Sequence, residues 1–239
     1  MLQVALNGHR GPDEHSAIPR TPEELAREAR ASVDAGADVV HVHAYDGDQE
    51  TFGSEQCAAM VRAIRAVCPG VPISETTALY IAGDDPERRL TLVAGWTELP
   101  ELVTANQGEE RIVELCEHLL GRGVGIEAGL LTLGDAEAFV ESGIAARCTR
   151  VLIEPLELDS AAAVAHAEAI EEVLVGARIE LEQVHHGEMI ASWAVSERGA
   201  RRGHGVRTGL EDVTVLPDGT PARDNAELVR YAKRLFVTV

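Results

Sequence analysis

Basic residues are scarce in this chain: twenty-one lysines and arginines stand against forty aspartates and glutamates, a formal charge of −19 over 239 residues. Such a charge repels phosphate backbones and anionic membrane surfaces, so neither nucleic acid nor membrane is an expected partner. The acidic excess falls mostly on helix-like stretches such as 22–30 and 109–117 and reads as a solvated face. Long apolar runs are missing as well; none approaches the roughly 18 residues of a membrane span. The stretch from Met1 to Asn7 enters a strand pattern without a basic leader, which disfavours export. Cysteine is sparse, and Cys57, Cys68, Cys116 and Cys148 fall at no metal or redox spacing; they read as reduced core residues of a cytoplasmic protein. No linker or low-complexity tract divides the chain, and no Gly-X-Gly-X-X-Gly follows the first strand, which removes the main support for a dinucleotide fold.

The hydrophobic content of 45% over this length is enough for a sizeable core. Short apolar segments at 2–6, 38–43, 71–75, 99–104, 124–127, 150–153, 178–182 and 205–208 are the expected strands. Helical patterns follow them, at 54–67, 86–93, 109–120, 135–141, 160–173, 188–198 and 225–235. The first helix has the clearest start: Thr21 as N-cap, Pro22 at the first helical position and Glu24 three residues after the cap, with Gly36 at its end. Strand-then-helix units repeated in this way predict one (β/α)8 TIM barrel over residues 1–239.

In such barrels the reactive side chains collect at the C-terminal ends of the strands. Here those ends carry Asn7 and Arg10, then His41 and His43, Thr76, Thr104 and Asn106, Glu127, Glu154, Glu182 to His186, and the run from Arg207 to Asp212. The sharpest signal is Val39-Val40-His41-Val42-His43, an apolar strand with two imidazoles on one face, spaced so that both reach one metal ion. Two core histidines satisfied by carbonyls are the bland alternative. Two histidines and a carboxylate form a common site for a divalent metal with open positions, and zinc suits imidazole without redox chemistry. Glu211 is the best third ligand. Asp212, its neighbour, is then left for acid/base work, with Arg207 holding it ionised or binding a substrate anion. Other residues have competing readings: Glu127 and Glu154 as solvent-facing charges, Thr76 and Thr104 as helix caps, and His185-His186 as an exposed pair opening the seventh helix, the reading favoured for that pair. His9, His15, His118, His166 and His204 have no constellation and read as surface or satisfied residues.

Several blocks together resemble the β-keto acid cleavage enzyme family: Ala5-Leu6-Asn7-Gly8, Thr21-Pro22-Glu23-Glu24, Ala35-Gly36-Ala37, His41-Val42-His43, Ser74 to Thr77, Thr104-Ala105-Asn106, and Arg207-Thr208-Gly209-Leu210-Glu211-Asp212. The last block is the most specific. The resemblance implies a zinc-dependent barrel acyltransferase that takes a β-keto acid and acetyl-CoA and yields acetoacetate and a new acyl-CoA by a retro-Claisen cleavage. It implies zinc on His41, His43 and Glu211, with Asp212 as the base, assisted by Arg207. Thr76 falls at a catalytic or carboxylate-binding position; Asn7, Arg10, Thr104, Asn106 and Glu127 fall at substrate-binding ones. A homodimer or homotetramer is the implied assembly.

Departures from the family pattern are also visible. The lysine-fermentation member has a glutamate suited to a substrate amine where this chain has Arg10, so a polar or anionic substrate tail is expected here. Tyr45 stands where many members have arginine, Ala78-Leu79 replaces a Gly-rich turn, and the chain ends at Val239, before the family's usual C-terminal extension. Two other functions fit the same residues: a metal-dependent aldolase or lyase that needs no CoA, and a non-catalytic barrel that binds a small metabolite.

Overall fold

Short apolar strands alternating with amphipathic helices bury both kinds of element when the helices cover a parallel sheet. The computed structural model, which describes residues 1–237, shows that sheet closed into a barrel. Its strands are β1 (Leu2–Ala5), β2 (Val39–Val42), β3 (Ile73–Thr76), β4 (Leu102–Asn106), β5 (Gly125–Leu130), β6 (Arg150–Ile153), β7 (Glu182–His185) and β8 (Gly205–Thr208). All pair in parallel and in chain order, and β8 returns to β1, so the fold is the expected (β/α)8 barrel. The outer helices are α1 (Pro22–Ala35), α2 (Ser54–Val67), α3 (Pro86–Ala94), α4 (Ile112–Gly121), α5 (Leu133–Ser142), α6 (Ser160–Gly176), α7 (Ala191–Arg201) and α8 (Asn225–Ala232). They turn residues such as Leu25, Ile64, Leu115, Phe139, Ile170, Val195 and Leu228 onto the sheet. The capping box of α1 forms as expected, with Glu24 N–H donating to Thr21 Oγ1 at 3.2 Å and Thr21 N–H donating to Glu24 at 3.1 Å.

The structure corrects several boundaries. β7 starts at Glu182, not 178, because Arg178 sits in the left-handed region at φ 57° and Ile179 N–H closes the end of α6 on Leu174 O at 3.0 Å. β4 likewise lies later than the expected 99–104. α4 begins after Arg111 at φ 55°, and α7 begins at Ala191, after a loop in which Met189 has φ 52°. His185 therefore ends a strand and His186 follows it directly; both are fully buried, so they are not an exposed pair. Glu127 is not at a strand end either: β5 runs on to Leu130, and Glu127 is fully buried. Gln3 of β1 donates to Glu127 of β5 at 3.1 Å, a contact between opposite sides of the barrel that crosses its lumen. Ser74 also donates to Glu127, and Arg150 Nε lies 3.5 Å from it. This polar layer floors the site above it, and the hydrogen bonds from Gln3 and Ser74 offset the burial of the Glu127 carboxylate. An unforeseen hairpin, Tyr45–Asp46 against Gln49–Glu50, follows β2; Gly47 at φ 60° supplies the positive φ that a tight hairpin turn needs.

Candidate metal centre

Strand alternation puts His41 and His43 on one side of β2, with ring centroids 5.3 Å apart. Both Nε2 atoms face Glu211, at 3.6 Å from Oε2 for His41 and 3.5 Å from Oε1 for His43. One ligand atom from each of the three side chains lies within 4.8 Å of the others, so together they could hold one metal ion. The opposite ring nitrogens are already engaged. His41 Nδ1 lies 3.2 Å from Ser74 Oγ and 3.3 Å from Thr104 Oγ1, and His43 Nδ1 lies 2.5 Å from Glu50 Oε1. Ser74 gives its own proton to Glu127, so it accepts from His41. Protons fixed on Nδ1 leave the Nε2 lone pairs for a cation, the usual outer support of a metal-binding histidine. Glu211 Oε2 is buried without a hydrogen-bond partner among the described residues, which leaves an anionic oxygen that a cation would satisfy.

Two glycines make room for this carboxylate. Gly8 has φ 59°, and a Cβ there would come within 2.3 Å of Glu211 Cγ. Gly209 has φ 157°, and its Cβ would lie 1.9 Å from Ala5 O, a backbone approach that only glycine permits. The turn that follows is stapled by Asn225, which accepts from Leu210 N–H at 2.8 Å and donates to Leu6 O at 3.0 Å. Adjacent residues thus face different partners: Glu211 the histidines, Asp212 the Arg207 guanidinium. Arg207 Nη2 donates to Asp212 Oδ1 at 2.8 Å and to Glu211 Oε1 at 2.5 Å. Burial alone would raise both carboxyls; Arg207 holds Asp212 below the usual carboxylate range with help from His186, and holds Glu211 well below it with help from both histidines. Burial also opposes charge on His43, but Glu211 and Glu50 outweigh it and raise its pKa to about 9, so without a cation its Nε2 carries a proton that a bound metal ion would displace. Burial pushes His41 well below its ordinary value, against the pull of Glu211.

A cavity of about 380 Å³ opens over these groups, lined by His41, His43, Thr76, Thr104, Asn106, Arg207 and Glu211 among others. Three expected binding residues are absent from that lining. Asn7 clamps the His43 backbone, donating to its carbonyl at 2.9 Å and accepting from its N–H at 3.0 Å. Glu127 lies beneath the site, 3.4 Å from Thr104 Oγ1. Arg10 donates to Glu14 at 2.8 Å, to the Glu211 carbonyl at 2.9 Å, and to Glu188. Thr104 supports His41 from the cavity wall, whereas Thr76 accepts from Ala78 N–H at 3.3 Å. Glu50, Glu109, Glu188 and His186 carry no expected role in the site; of these, Glu109 and Glu188 line the cavity. Glu50 had a local signal, since Asp46-Gly47 marks the hairpin that carries it back toward β2.

Comparisons with known proteins agree with the fold and place the chain among known relatives. The family profile described as beta-keto acid cleavage enzyme matches residues 1–120 and 159–239. Two proteins named 3-keto-5-aminohexanoate cleavage enzyme are similar along nearly the whole chain. The one from Fusobacterium nucleatum is 27% identical and the one from Acetoanaerobium sticklandii 26%, each match covering 98% of this chain and 90% of the relative. Among solved structures, ObcA in ternary complex with a C4-CoA adduct and oxalate superimposes with a TM-score of 0.75 at 14% identity, over 93% of this chain. ObcA in binary complex with oxaloacetate gives 0.70. The chain spans 64% of the length of that ternary-complex protein, and at this identity the likeness concerns the fold. The barrel and the family profile together define the class: the chain belongs to the β-keto acid cleavage enzyme family.

Proposed function

We propose that this protein is a zinc-dependent acyltransferase that condenses a β-keto acid with acetyl-CoA and cleaves the adduct to acetoacetate and a new acyl-CoA. One observation carries the reading: His41, His43 and Glu211 converge at a cavity that Arg207 also lines, and Arg207 pairs in turn with the buried carboxylate of Asp212, which is not itself in that lining. Zinc on the two imidazoles and the carboxylate supplies Lewis-acid polarisation of a keto oxygen. Asp212 then removes a proton from the carbon between the keto and carboxylate groups. That carbon bonds to the acetyl carbonyl and expels CoA thiolate. The thiolate attacks the original keto carbon, the bond between the two carbonyl carbons' shared neighbour and that keto carbon breaks, and acetoacetate leaves as a carbanion that takes back one proton. Arg207 orients Asp212 throughout, and Thr76, Thr104 and Asn106 bound the space the substrate fills.

No enzyme nucleophile is needed, and none is offered by the cysteines. All four are buried, none lines the cavity, and burial raises the thiols of Cys116 to about 11 and Cys148 to about 12. The CoA adduct and oxaloacetate named with ObcA support a thioester and a keto acid as reactants. The expected welcome for an anionic tail loses its basis, because Glu14 and Glu188 already neutralise Arg10. The whole chain acts as one catalytic domain in the cytoplasm, as a homodimer or homotetramer; among the described residues no helix is long and apolar enough to cross a membrane. The test is acetoacetate formation from a panel of β-keto acids with and without acetyl-CoA. Strict dependence on acetyl-CoA is expected, and cleavage without it would favour an aldolase or lyase instead.

A further inference from the structure

The proposed reaction borrows one proton: Asp212 takes it from the β-keto acid at the start, and the acetoacetate carbanion receives it at the end. Somewhere in the site that proton must wait while two carbon–carbon bond changes occur. We infer that His186 is a positioning and relay residue which links Asp212 to Glu154, so that Glu154 at the cavity wall holds the proton while Asp212 regains its carboxylate. This inference rests on the reading of function given above.

His186 is fully buried, and neither ring nitrogen has a hydrogen-bond partner among the described residues. Yet Nδ1 lies 3.6 Å from Asp212 Oδ1 and Nε2 lies 3.6 Å from Glu154 Oε2, so the ring bridges two carboxylates just beyond bonding distance. An imidazole always carries an N–H or a lone pair on each nitrogen, and leaving a buried one unpaired is costly. Catalytic hydrogen bonds that are long without substrate commonly tighten when it binds. The backbone holds the bridge in place. His186 N–H donates to Ile153 O at 3.1 Å, next to Glu154, and Met189 N–H donates to Asp212 O at 2.8 Å. Met189 does so from φ 52°, a conformation uncommon outside glycine, so the loop after β7 holds Asp212 by its main chain. The neighbouring His185 faces the other way, stacked on His204 at 4.9 Å, and takes no part.

The transfer balances. With the resting proton of His186 on Nε2, protonated Asp212 passes its proton to Nδ1 while Nε2–H passes to Glu154 Oε2. Asp212 is again anionic, His186 is again neutral, and Glu154 is a carboxylic acid; the same steps in reverse return the proton. Burial, reinforced by Asp212 and Glu211, raises Glu154 above the usual carboxylate value against the effect of His186 and Arg207, which suits a proton holder.

The test compares wild type, His186→Gln, Glu154→Gln and the double variant. The main readout is deuterium uptake at the reacting carbon of a β-keto acid in D₂O without acetyl-CoA, with zinc content and Tm as controls. Each single variant is expected to slow uptake at least about 10-fold with zinc and Tm kept, and the double variant to slow it no further, as residues acting as a unit do. Wild-type uptake in His186→Gln, or multiplied losses in the double variant, would overturn the relay. Nitrogen chemical shifts of His186 provide a readout free of the reaction: they are expected to move in both Asp212→Asn and Glu154→Gln. Shifts that ignore Glu154 would also overturn the relay, whereas shifts that respond in a protein turning over no β-keto acid would support the bridge and locate the error in the proposed function.

Discussion

Among the described residues this barrel holds two groups of two histidines and one glutamate with converging ligand atoms, and their surroundings differ. In the first, Glu211 faces both His41 and His43, and their far nitrogens are tied to Ser74, Thr104 and Glu50. In the second, Glu171 is surrounded by cations: Arg198 at 2.8 Å, Arg202 at 2.9 Å and His204 at 3.2 Å. Arg198 pairs with its Oε2 while Arg202 and His204 pair with its Oε1, so a further cation would be repelled by two guanidiniums, and the result is an ionic hub joining α6, α7 and the start of β8. Burial lowers the pKa of His185 to about 3, which leaves that ring neutral within the hub. The donor set is the same in both places. What differs is how far the carboxylate's charge is already answered, by one guanidinium at Glu211 and by two at Glu171.

That contrast can be broken or sharpened by substitution. The largest effect is expected from Asp212→Asn, which should lower acetyl-CoA-dependent turnover by about 10²–10⁴-fold while zinc content stays that of wild type; loss of zinc would mean that base and ligand are not separate roles. Next comes Glu50→Gln, which weakens the outer hold on His43 and should reduce zinc affinity by about 10–100-fold, measured by competition with a chromophoric chelator. Unchanged affinity would remove the outer support from the account. The smallest effect belongs to the ionic hub. Although burial opposes ionisation, Arg202, Arg198 and His204 lower the pKa of Glu171 to about 2. Its ionised form therefore adds stability that is fully present above its unfolded value of about 4.5 and is lost as pH falls toward 2. Glu171→Gln should cost about 1–3 kcal/mol near pH 7, a deficit in denaturant unfolding that closes between pH 4.5 and 2. Zinc affinity should not change, and a change would tie the two groups together.

Where the position of a candidate site residue depends on local periodicity, it is legible in the sequence. His41 and His43 are placed by the period of a strand, and the capping box of α1 by residue type and spacing. The turn from Gly209 to Asp212 was recognised as a block, and the structure adds the reason for its glycine, the approach of Ala5 O. What could not be read depends on which distant segments meet. Arg10 looked free to receive a substrate because nothing in one sequence shows Glu188 folding back onto it. The seventh strand was placed too early because Arg178 and Ile179 look like strand residues, yet they close the end of α6. That shift hid His186, whose partners Glu154 and Asp212 come from two other strand ends. Glu127 sits in the lumen because β5 continues past it, a length that its Gly-rich sequence did not reveal.

The most direct test is zinc stoichiometry by elemental analysis of three purified proteins: wild type, His41→Ala/His43→Ala and His185→Ala/His204→Ala. About one zinc per chain is expected in the first and third, in keeping with one two-histidine, one-carboxylate site, and none in the second. Absence of zinc from wild type, or its loss only when His185 and His204 are replaced, would contradict that expectation.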